Sequence, residues 1–233
     1  MTRKTAVGLI GIFDRFYEGN EDMRFETRLR TAVDRLELCD SNSEFMVTIY
    51  ECIEETDGSE EAVVGRIYGY LIPSYDYEGS LFERMDSQSA SLEETYAELF
   101  DPKQGDLRDE VTQQLGADAS FWDQLVVLSR VSIHPSVGEA AKLALYRFVR
   151  VFSGSSIAVV WGNNCTLMDH ELSDLGFKPL ETSKDMWAMT TAYESAFSQR
   201  DPDTIESDDV DESVQAWVDE RWPWEPGEWP HMS

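Results

Sequence analysis

An apolar run at residues 125–133 constrains the fold of this chain more than any other segment. Six of its nine residues are Leu, Val or Ile, and Pro135 follows two positions later. A short run of this composition predicts a buried strand. Proline ends it, because proline cannot donate a hydrogen bond to a sheet ladder. The chain is therefore expected to fold around a sheet that buries this strand.

Helical and extended patterns alternate after that strand. A helix is predicted over 139–152, because its apolar side chains share one helical face. Residues 157–161 predict a further strand, 166–175 a second helix that Gly176 ends, and 185–193 a last strand. The second half of the chain is thus predicted to run β-α-β-α-β, which indicates an α/β class.

The first half of the chain predicts a strand, a helix and a hairpin. Residues 7–13 form a short apolar run typical of a buried strand, and apolar residues between positions 23 and 38 recur at helical spacing. β-branched and aromatic residues at 45–53 and 62–72 flank a turn that contains Asp57-Gly58. This pattern predicts an antiparallel hairpin.

A polar-faced helical pattern follows the hairpin, from Ser80 to Phe100. We interpret it as part of a helical insertion, at about residues 80–120, between two strands. The main domain then covers residues 1–199, and an acidic tail covers residues 200–233.

The tail combines acidic residues with tryptophans. It has eleven Asp and Glu against two arginines, and four of the seven tryptophans of the chain. The acidic residues favour disorder, whereas tryptophans favour burial. Two interpretations stay open: a helix over 210–222 that docks through Val214, Trp217 and Val218, or a peptide that binds a partner through its tryptophans.

The formal net charge of −27 limits what the chain can bind. A surface this acidic repels a phosphate backbone, so direct nucleic-acid binding is not expected. The sequence leaves three explanations of the charge open. These are an acidic bias that keeps the protein soluble, adaptation to a salty cytoplasm, and imitation of nucleic acid by an inhibitor of a basic partner.

The cysteines and histidines give no metal or disulfide signature. Cys39, Cys52 and Cys165 are widely spaced and form no C-x-x-C pair, and there are only three histidines. We expect ordinary thiols and no structural metal. No apolar run approaches the roughly 20 residues that span a bilayer, and the N-terminus lacks the features of a signal peptide. A cytoplasmic protein without membrane contact is expected.

Two short motifs occur in the order found in a known superfamily. Val131-Ser132-Ile133-His134-Pro135 ends the long strand, and Leu175-Gly176-Phe177 follows the second predicted helix. With the predicted order of elements, these residues resemble the GNAT superfamily of acetyl-CoA-dependent N-acyltransferases over roughly residues 5–193. The resemblance implies a mixed, mostly antiparallel central sheet flanked by helices, with acetyl-CoA as the cofactor.

The resemblance also implies which residues would bind that cofactor. The backbone of Val131 and Ile133 would run beside the pantetheine arm, and Asn164 would be a further contact or else the N-cap of the next helix. The pyrophosphate would meet a loop at a helix N-terminus. This loop consists of Gly138, Glu139, Ala140, Ala141 and Lys142.

A general base is also required to deprotonate the acceptor amine. His134 is our candidate, because an imidazole titrates near neutral pH. An ordinary loop histidine is the alternative interpretation.

The chain departs from the GNAT pattern at two places. Its loop is one residue shorter than the family loop, has no arginine, and carries Glu139, whose charge would repel a pyrophosphate. Gly138 and Glu139 also fit an ordinary helix start. Leu172 stands where many members have a tyrosine that protonates the departing thiolate.

Two functional hypotheses follow. The first is an N-acyltransferase whose acceptor is a cationic amine or a basic protein, since an acidic surface attracts cations. The second is a catalytically inactive GNAT-like fold that binds a basic partner, with mimicry of nucleic acid as one form of that binding.

Overall fold

The computed structural model describes residues 23–31, 43–55, 58–74, 80–116, 119, 122–135, 142, 145–146, 148–149, 156–191 and 212–222. The strand predicted at 7–13 lies outside these residues, as do Gly138, Glu139, Ala140 and Ala141.

Seven strands of the described residues form one sheet. They are β1 (Met23–Thr31), β2 (Ser43–Glu55), β3 (Gly58–Pro73), β4 (Gln124–Ile133), β5 (Ser156–Trp161), β6 (Lys178–Pro179) and β7 (Met186–Thr190). Their spatial order is β1-β2-β3-β4-β5-β7-β6. Every pair of neighbours is antiparallel except β4 and β5, which are parallel. The expected mixed, mostly antiparallel sheet is confirmed.

Helices flank this sheet. Between β3 and β4 come α1 (Leu81–Asp86), α2 (Ala90–Leu99) and α3 (Asp109–Leu115). After β5 come a 3-10 helix (Gly162–Asn164) and α4 (Asp169–Asp174), and the tail contains α5 (Glu212–Arg221). The described residues of the helix predicted over 139–152 have helical backbone, and we call them the central helical segment. They are Lys142, Leu145, Tyr146, Phe148 and Val149.

Serine side chains determine where α1 and α2 begin. The Ser80 hydroxyl accepts a hydrogen bond from the Glu83 backbone N–H at 3.2 Å, and the Glu83 carboxylate accepts one from the Ser80 N–H at 3.1 Å. The Ser89 hydroxyl accepts a hydrogen bond from the Leu92 N–H at 3.3 Å. Both serines thus satisfy amide groups that the first turn of a helix leaves without partners.

The sheet separates two apolar clusters, and β4 contributes to both. Val126 and Leu128 pack with the central helical segment and α4, whereas Leu125 and Val127 pack with α1, α2 and α3. All four side chains are 0% exposed. Successive side chains of a strand point to opposite faces, so a strand covered on both faces needs a continuous apolar run. This explains the strong pattern at residues 125–133.

The helix predicted over 23–38 is wrong for its first nine residues, which form β1. β1 pairs with β2 in an antiparallel register from Met23 opposite Glu51 to Thr31 opposite Ser43. The sequence of β1 alternates, with Arg24, Glu26, Arg28 and Arg30 between less polar residues. This period of two competes with the helical spacing of Phe25 and Leu29, and sheet pairing decides between them.

The predicted hairpin is confirmed as β2 and β3, which pair from Glu55 opposite Gly58 to Ser43 opposite Leu71. The register between β3 and β4 shifts between Tyr68 and Gly69, so Ser129 is an extra residue in β4. A Cβ atom on Gly69 would lie 2.0 Å from the Val127 carbonyl oxygen. Glycine is therefore required where the two strands approach at this bulge.

The helix predicted over 210–222 is present as α5. It packs mainly on β3 and also contacts β4. Val214 and Val218 are 3% and 0% exposed, and Trp217 is half-buried. The docked interpretation of this part of the tail is thus the one that the structure supports.

Candidate functional site

The candidate site is an opening in the sheet between β4 and β5. The parallel pairing runs from Gln124 opposite Ser156 to Leu128 opposite Val160 and then ends. β4 continues to Ile133 beside β3 alone, and the bulge at Ser129 lies where the separation begins. Backbone groups on the free side of β4 are therefore available to another segment or to a ligand.

Thr166 occupies this opening. Its backbone N–H donates to the Val131 carbonyl at 3.0 Å. Its hydroxyl accepts from the Ile133 N–H at 2.8 Å and donates to the Ile133 carbonyl at 2.9 Å. Cys165 adds a parallel bridge to Val131. Thr166 therefore uses the same edge of Val131 and Ile133 on which the GNAT resemblance placed the pantetheine arm.

Lys142, in the central helical segment, forms an ion pair with Glu171 on α4. Its ammonium group is 2.8 Å from Glu171 Oε1, and the two side chains are 15% and 13% exposed. Burial alone would raise the pKa of Glu171, but the hydrogen bonds from Lys142 and from the Met168 N–H, with the charge of Lys142, outweigh burial and lower it. The predicted phosphate-binding lysine is thus already paired with a carboxylate.

His134, the candidate base, lies at the end of β4 and is half-buried. Its backbone N–H donates to the Val64 carbonyl at 3.0 Å. Its ring meets the ring of Trp217 edge to face, with centroids 4.8 Å apart. α5 therefore contacts the imidazole that was predicted to act as the general base.

Asn164 ends the 3-10 helix and is exposed. The alternative prediction that it caps the next helix is wrong, because α4 begins five residues later, at Asp169. The extended residues between them carry Thr166 to β4. Leu172 is 1% exposed in the apolar core. Its side chain packs in the same apolar cluster as Val131 and Ile133.

The thiol of Cys165 is held in its neutral form. Burial raises its pKa to about 12, against a smaller opposing effect of a hydrogen bond with the Leu167 backbone, and the charge of Glu171 adds to the rise. A thiol with such a pKa is a poor nucleophile at neutral pH. Cys165 thus functions as a packing residue beside β4.

A buried tyrosine pair lies on the other face of β3 and was not predicted as a feature of the site. The Tyr68 hydroxyl donates to the Tyr70 hydroxyl at 3.0 Å, and both residues are nearly fully buried. Burial raises the pKa of Tyr70, and the charge of Glu44 adds to this, while hydrogen bonds with Tyr68 and Ser89 oppose it. Their spacing of two residues on a strand was the available sequence signal.

Exposed carboxylates lie on helices at both faces of the sheet. Residues 80–116, in α1, α2, α3 and their connecting loops, carry nine carboxylates, of which seven are exposed and Glu98 and Asp101 are half-buried, and we call these nine the acidic layer. They are Glu83, Asp86, Glu93, Glu94, Glu98, Asp101, Asp106, Asp109 and Glu110. Within the described residues none of the nine forms an ion pair, whereas Glu171, Asp219 and Glu220 do.

Two arginines of the same helices bind backbone carbonyls. Arg84 donates to the Pro73 carbonyl at 3.0 Å, and Arg108 donates to the Ala97 carbonyl at 2.6 and 3.1 Å. With Lys103 they are the three cations of residues 80–116, against nine carboxylates, so this segment has a formal net charge of −6.

No protein-family model matches this chain, and searches of curated proteins and of solved structures found no match. None of the described helices is long and apolar enough to cross a membrane. Among the described residues, no three His, Cys, Asp or Glu side chains are grouped so that they could hold a metal ion.

Proposed function

We propose that this chain is a catalytically inactive, GNAT-like domain that binds a basic protein through the acidic layer. The observation that carries the proposal is the position of Thr166. Its three hydrogen bonds occupy Val131 and Ile133, the backbone groups from which an acyl-CoA arm would be bound. A ligand at this edge would have to displace Thr166 and leave its polar groups without partners.

The charges around the opening support the same conclusion. Lys142 is the cation that would attract a pyrophosphate, and its ion pair with Glu171 neutralises it. A pyrophosphate would compete with a carboxylate that is already 2.8 Å away and largely buried. Trp217 also contacts His134, so the amine acceptor would have to displace α5.

The acidic layer supports a basic partner. Nine carboxylates without ion pairs within the described residues give a surface on which lysine and arginine side chains gain favourable interactions. Such a surface mainly accelerates association and selects partners by charge.

The loss of cofactor binding is tested by calorimetry with acetyl-CoA. The wild-type chain is expected to give no saturable heat and no thermal shift. Thr166→Gly, which removes the hydroxyl bonds to Ile133, is the matched variant, and Thr112→Gly on α3 is its control. Saturable micromolar binding by the wild-type chain would overturn the inactive assignment.

Partner binding is tested with a short oligolysine and two variants of equal charge change. Glu93→Gln/Glu94→Gln alters the acidic layer, and Asp169→Asn/Asp174→Asn alters α4 on the opposite face. The first pair is expected to weaken binding about fivefold or more and the second to have little effect. Moderate salt should weaken binding as well. Equal effects of the two pairs would mean that diffuse net charge, and not the acidic layer, attracts the peptide.

The second candidate is an acyl-CoA-dependent N-acyltransferase, and the separation of β4 from β5 favours it. β4 and β5 separate beside the bulge at Ser129, and the free backbone edge of β4 is available there to an extended ligand. In this case Thr166 would leave the edge when the cofactor binds, and His134 would act as the base. Transfer of an acetyl group to a polyamine, lost in His134→Ala, would establish this function and reject the first.

A further inference from the structure

A pair of side chains under α5 forms a surface that we call the Arg66 strip, consisting of Arg66 and His134. Arg66 on β3 lies opposite Ser132 on β4, and His134 follows two residues later on the same face. The Arg66 side chain is 8% exposed. The strip is therefore a guanidinium and an imidazole on a rigid sheet in a strongly acidic protein.

Side chains of α5 complement both members of the strip. Asp219 Oδ1 is 2.7 Å from Arg66 Nη1, and the Asp219 side chain is 40% exposed. The ring of Trp222 lies with its centroid 6.0 Å from the Arg66 guanidinium carbon, and Trp217 meets the His134 ring. Arg66 and His134 thus each contact a carboxylate or an aromatic ring from α5 or from Trp222, the residue after it.

Other contacts also hold α5 on the sheet, since Gln215 Oε1 accepts a hydrogen bond from the Val63 N–H at 3.5 Å. Of its described side chains and the residue that follows, only Val214, Val218 and Trp222 are buried. A ten-residue helix is marginal in water without tertiary contacts. Docking on the sheet therefore keeps α5 helical, as it does for a peptide that binds a preformed groove.

From this geometry we infer that the Arg66 strip is a recognition site for an acidic amphipathic helix that presents a carboxylate close to aromatic side chains. In this structure α5 occupies the site. The same class of helix from a partner protein takes the site when α5 is released. Asp219 Oδ1 is buried against Arg66 although the Asp219 side chain as a whole is 40% exposed, so an external carboxylate reaches Arg66 only after α5 leaves.

Tethering sets the condition for this exchange. A docked segment of the same chain competes at an effective concentration in the millimolar range, so an external helix binds weakly to the intact protein. Weakening the ion pair between Asp219 and Arg66 lowers the effective concentration of the docked α5. The inference does not depend on the acidic layer, because the two surfaces contain different residues.

The test uses the full chain and a labelled synthetic peptide with the sequence of residues 212–222. Asp219→Asn removes the carboxylate that pairs with Arg66, and Glu220→Gln is the matched control, since among the described residues Glu220 pairs only with Arg221. The Asp219→Asn chain is expected to bind the peptide about tenfold or more tightly than the wild-type and Glu220→Gln chains. A peptide with asparagine in place of Asp219 should bind that chain about tenfold less tightly.

Hydrogen exchange of the α5 amides gives a second measurement on the same chains. Asp219→Asn should accelerate exchange about tenfold, and Glu220→Gln should not. Adding Arg66→Gln to the Asp219→Asn chain should abolish peptide binding.

Equal peptide affinity in all chains, equal binding of both peptides, or unchanged exchange in Asp219→Asn would overturn the inference. Oligolysine and acetyl-CoA do not probe this site, so its failure is distinguishable from failure of the proposed function.

Discussion

The Thr166 hydroxyl both accepts a hydrogen bond from Ile133 and donates one to it, at 2.8 and 2.9 Å. The Thr166 side chain thus satisfies backbone groups of β4 beyond the point where the pairing of β4 with β5 ends. The same contact closes the edge that a cofactor of the GNAT type would use. Stability and the proposed loss of cofactor binding are therefore linked at one residue.

Replacement of Thr166 by valine tests that link. Thr166→Val keeps the shape of the side chain but leaves the Ile133 N–H without its acceptor. We expect a loss of about 1–3 kcal/mol in the free energy of unfolding, measured in urea. Exchange of the Ile133 amide should be faster. Thr112→Val on α3 is the control and should change stability little, because the hydrogen bonds of Thr112 within the described residues are those of its backbone, with Arg108 and Gly116. Equal stabilities of the two variants would contradict this role.

Acid should remove the stabilisation by Lys142 and Glu171. The folded pKa of Glu171 lies below its ordinary value, so its contribution is complete above the ordinary glutamate pKa of about 4.3 and is lost as the pH falls through the folded value. We expect Lys142→Met to cost about 1 kcal/mol at neutral pH and less near pH 3. Urea unfolding across this range measures the difference.

A double variant isolates the pair from other effects of the lysine. In Lys142→Met/Glu171→Gln no carboxylate is left buried without its cation, so the double change should cost less than the sum of the single changes. A cost of Lys142→Met that is the same at all pH values would show that the ion pair does not stabilise the fold.

Cys165 should react slowly with thiol reagents while the protein is folded. Its pKa of about 12 leaves a thiolate fraction at pH 8 that is roughly a thousandfold below that of an ordinary cysteine. Alkylation by iodoacetamide, followed at this residue by mass spectrometry, should be slow in buffer and fast in concentrated urea. Equal alkylation rates in buffer and in urea would show that the Cys165 thiol is not buried beside β4 in the folded protein.

The sequence predicted those parts of the fold in which local pattern and tertiary burial agree. β4 was predicted because burial on both faces demands a continuous apolar run, and the hairpin because Asp57-Gly58 separates two β-branched segments. β1 was not predicted, because Phe25 and Leu29 fit a helical face as well as one face of a strand. Only its pairing with β2 resolves that ambiguity.

The site was less predictable than the fold. His134 and Lys142 were selected by the chemistry of their side chains, yet their partners, Trp217 and Glu171, lie 83 and 29 residues further along the chain. Thr166 gave no sequence signal, since its role depends on an extended path after the 3-10 helix that no local pattern indicates. Distant pairings of this kind are set by the tertiary fold.

Gly69 gives the sharpest test of the sheet register. An alanine Cβ there would lie 2.0 Å from the Val127 carbonyl oxygen and 2.7 Å from Phe45 Cζ, so β3 and β4 would have to move apart at the bulge. We expect Gly69→Ala to destabilise the fold by about 3 kcal/mol in urea unfolding. Gly105→Ala is the matched control, because Gly105 has a φ of +77° but its Cβ would meet no atom closer than 4.0 Å. That variant should cost only about 1–2 kcal/mol, from backbone strain. If Gly69→Ala were the milder of the two, the close approach of β3 to β4 would be wrong, and with it the bulge beside the opening that Thr166 fills.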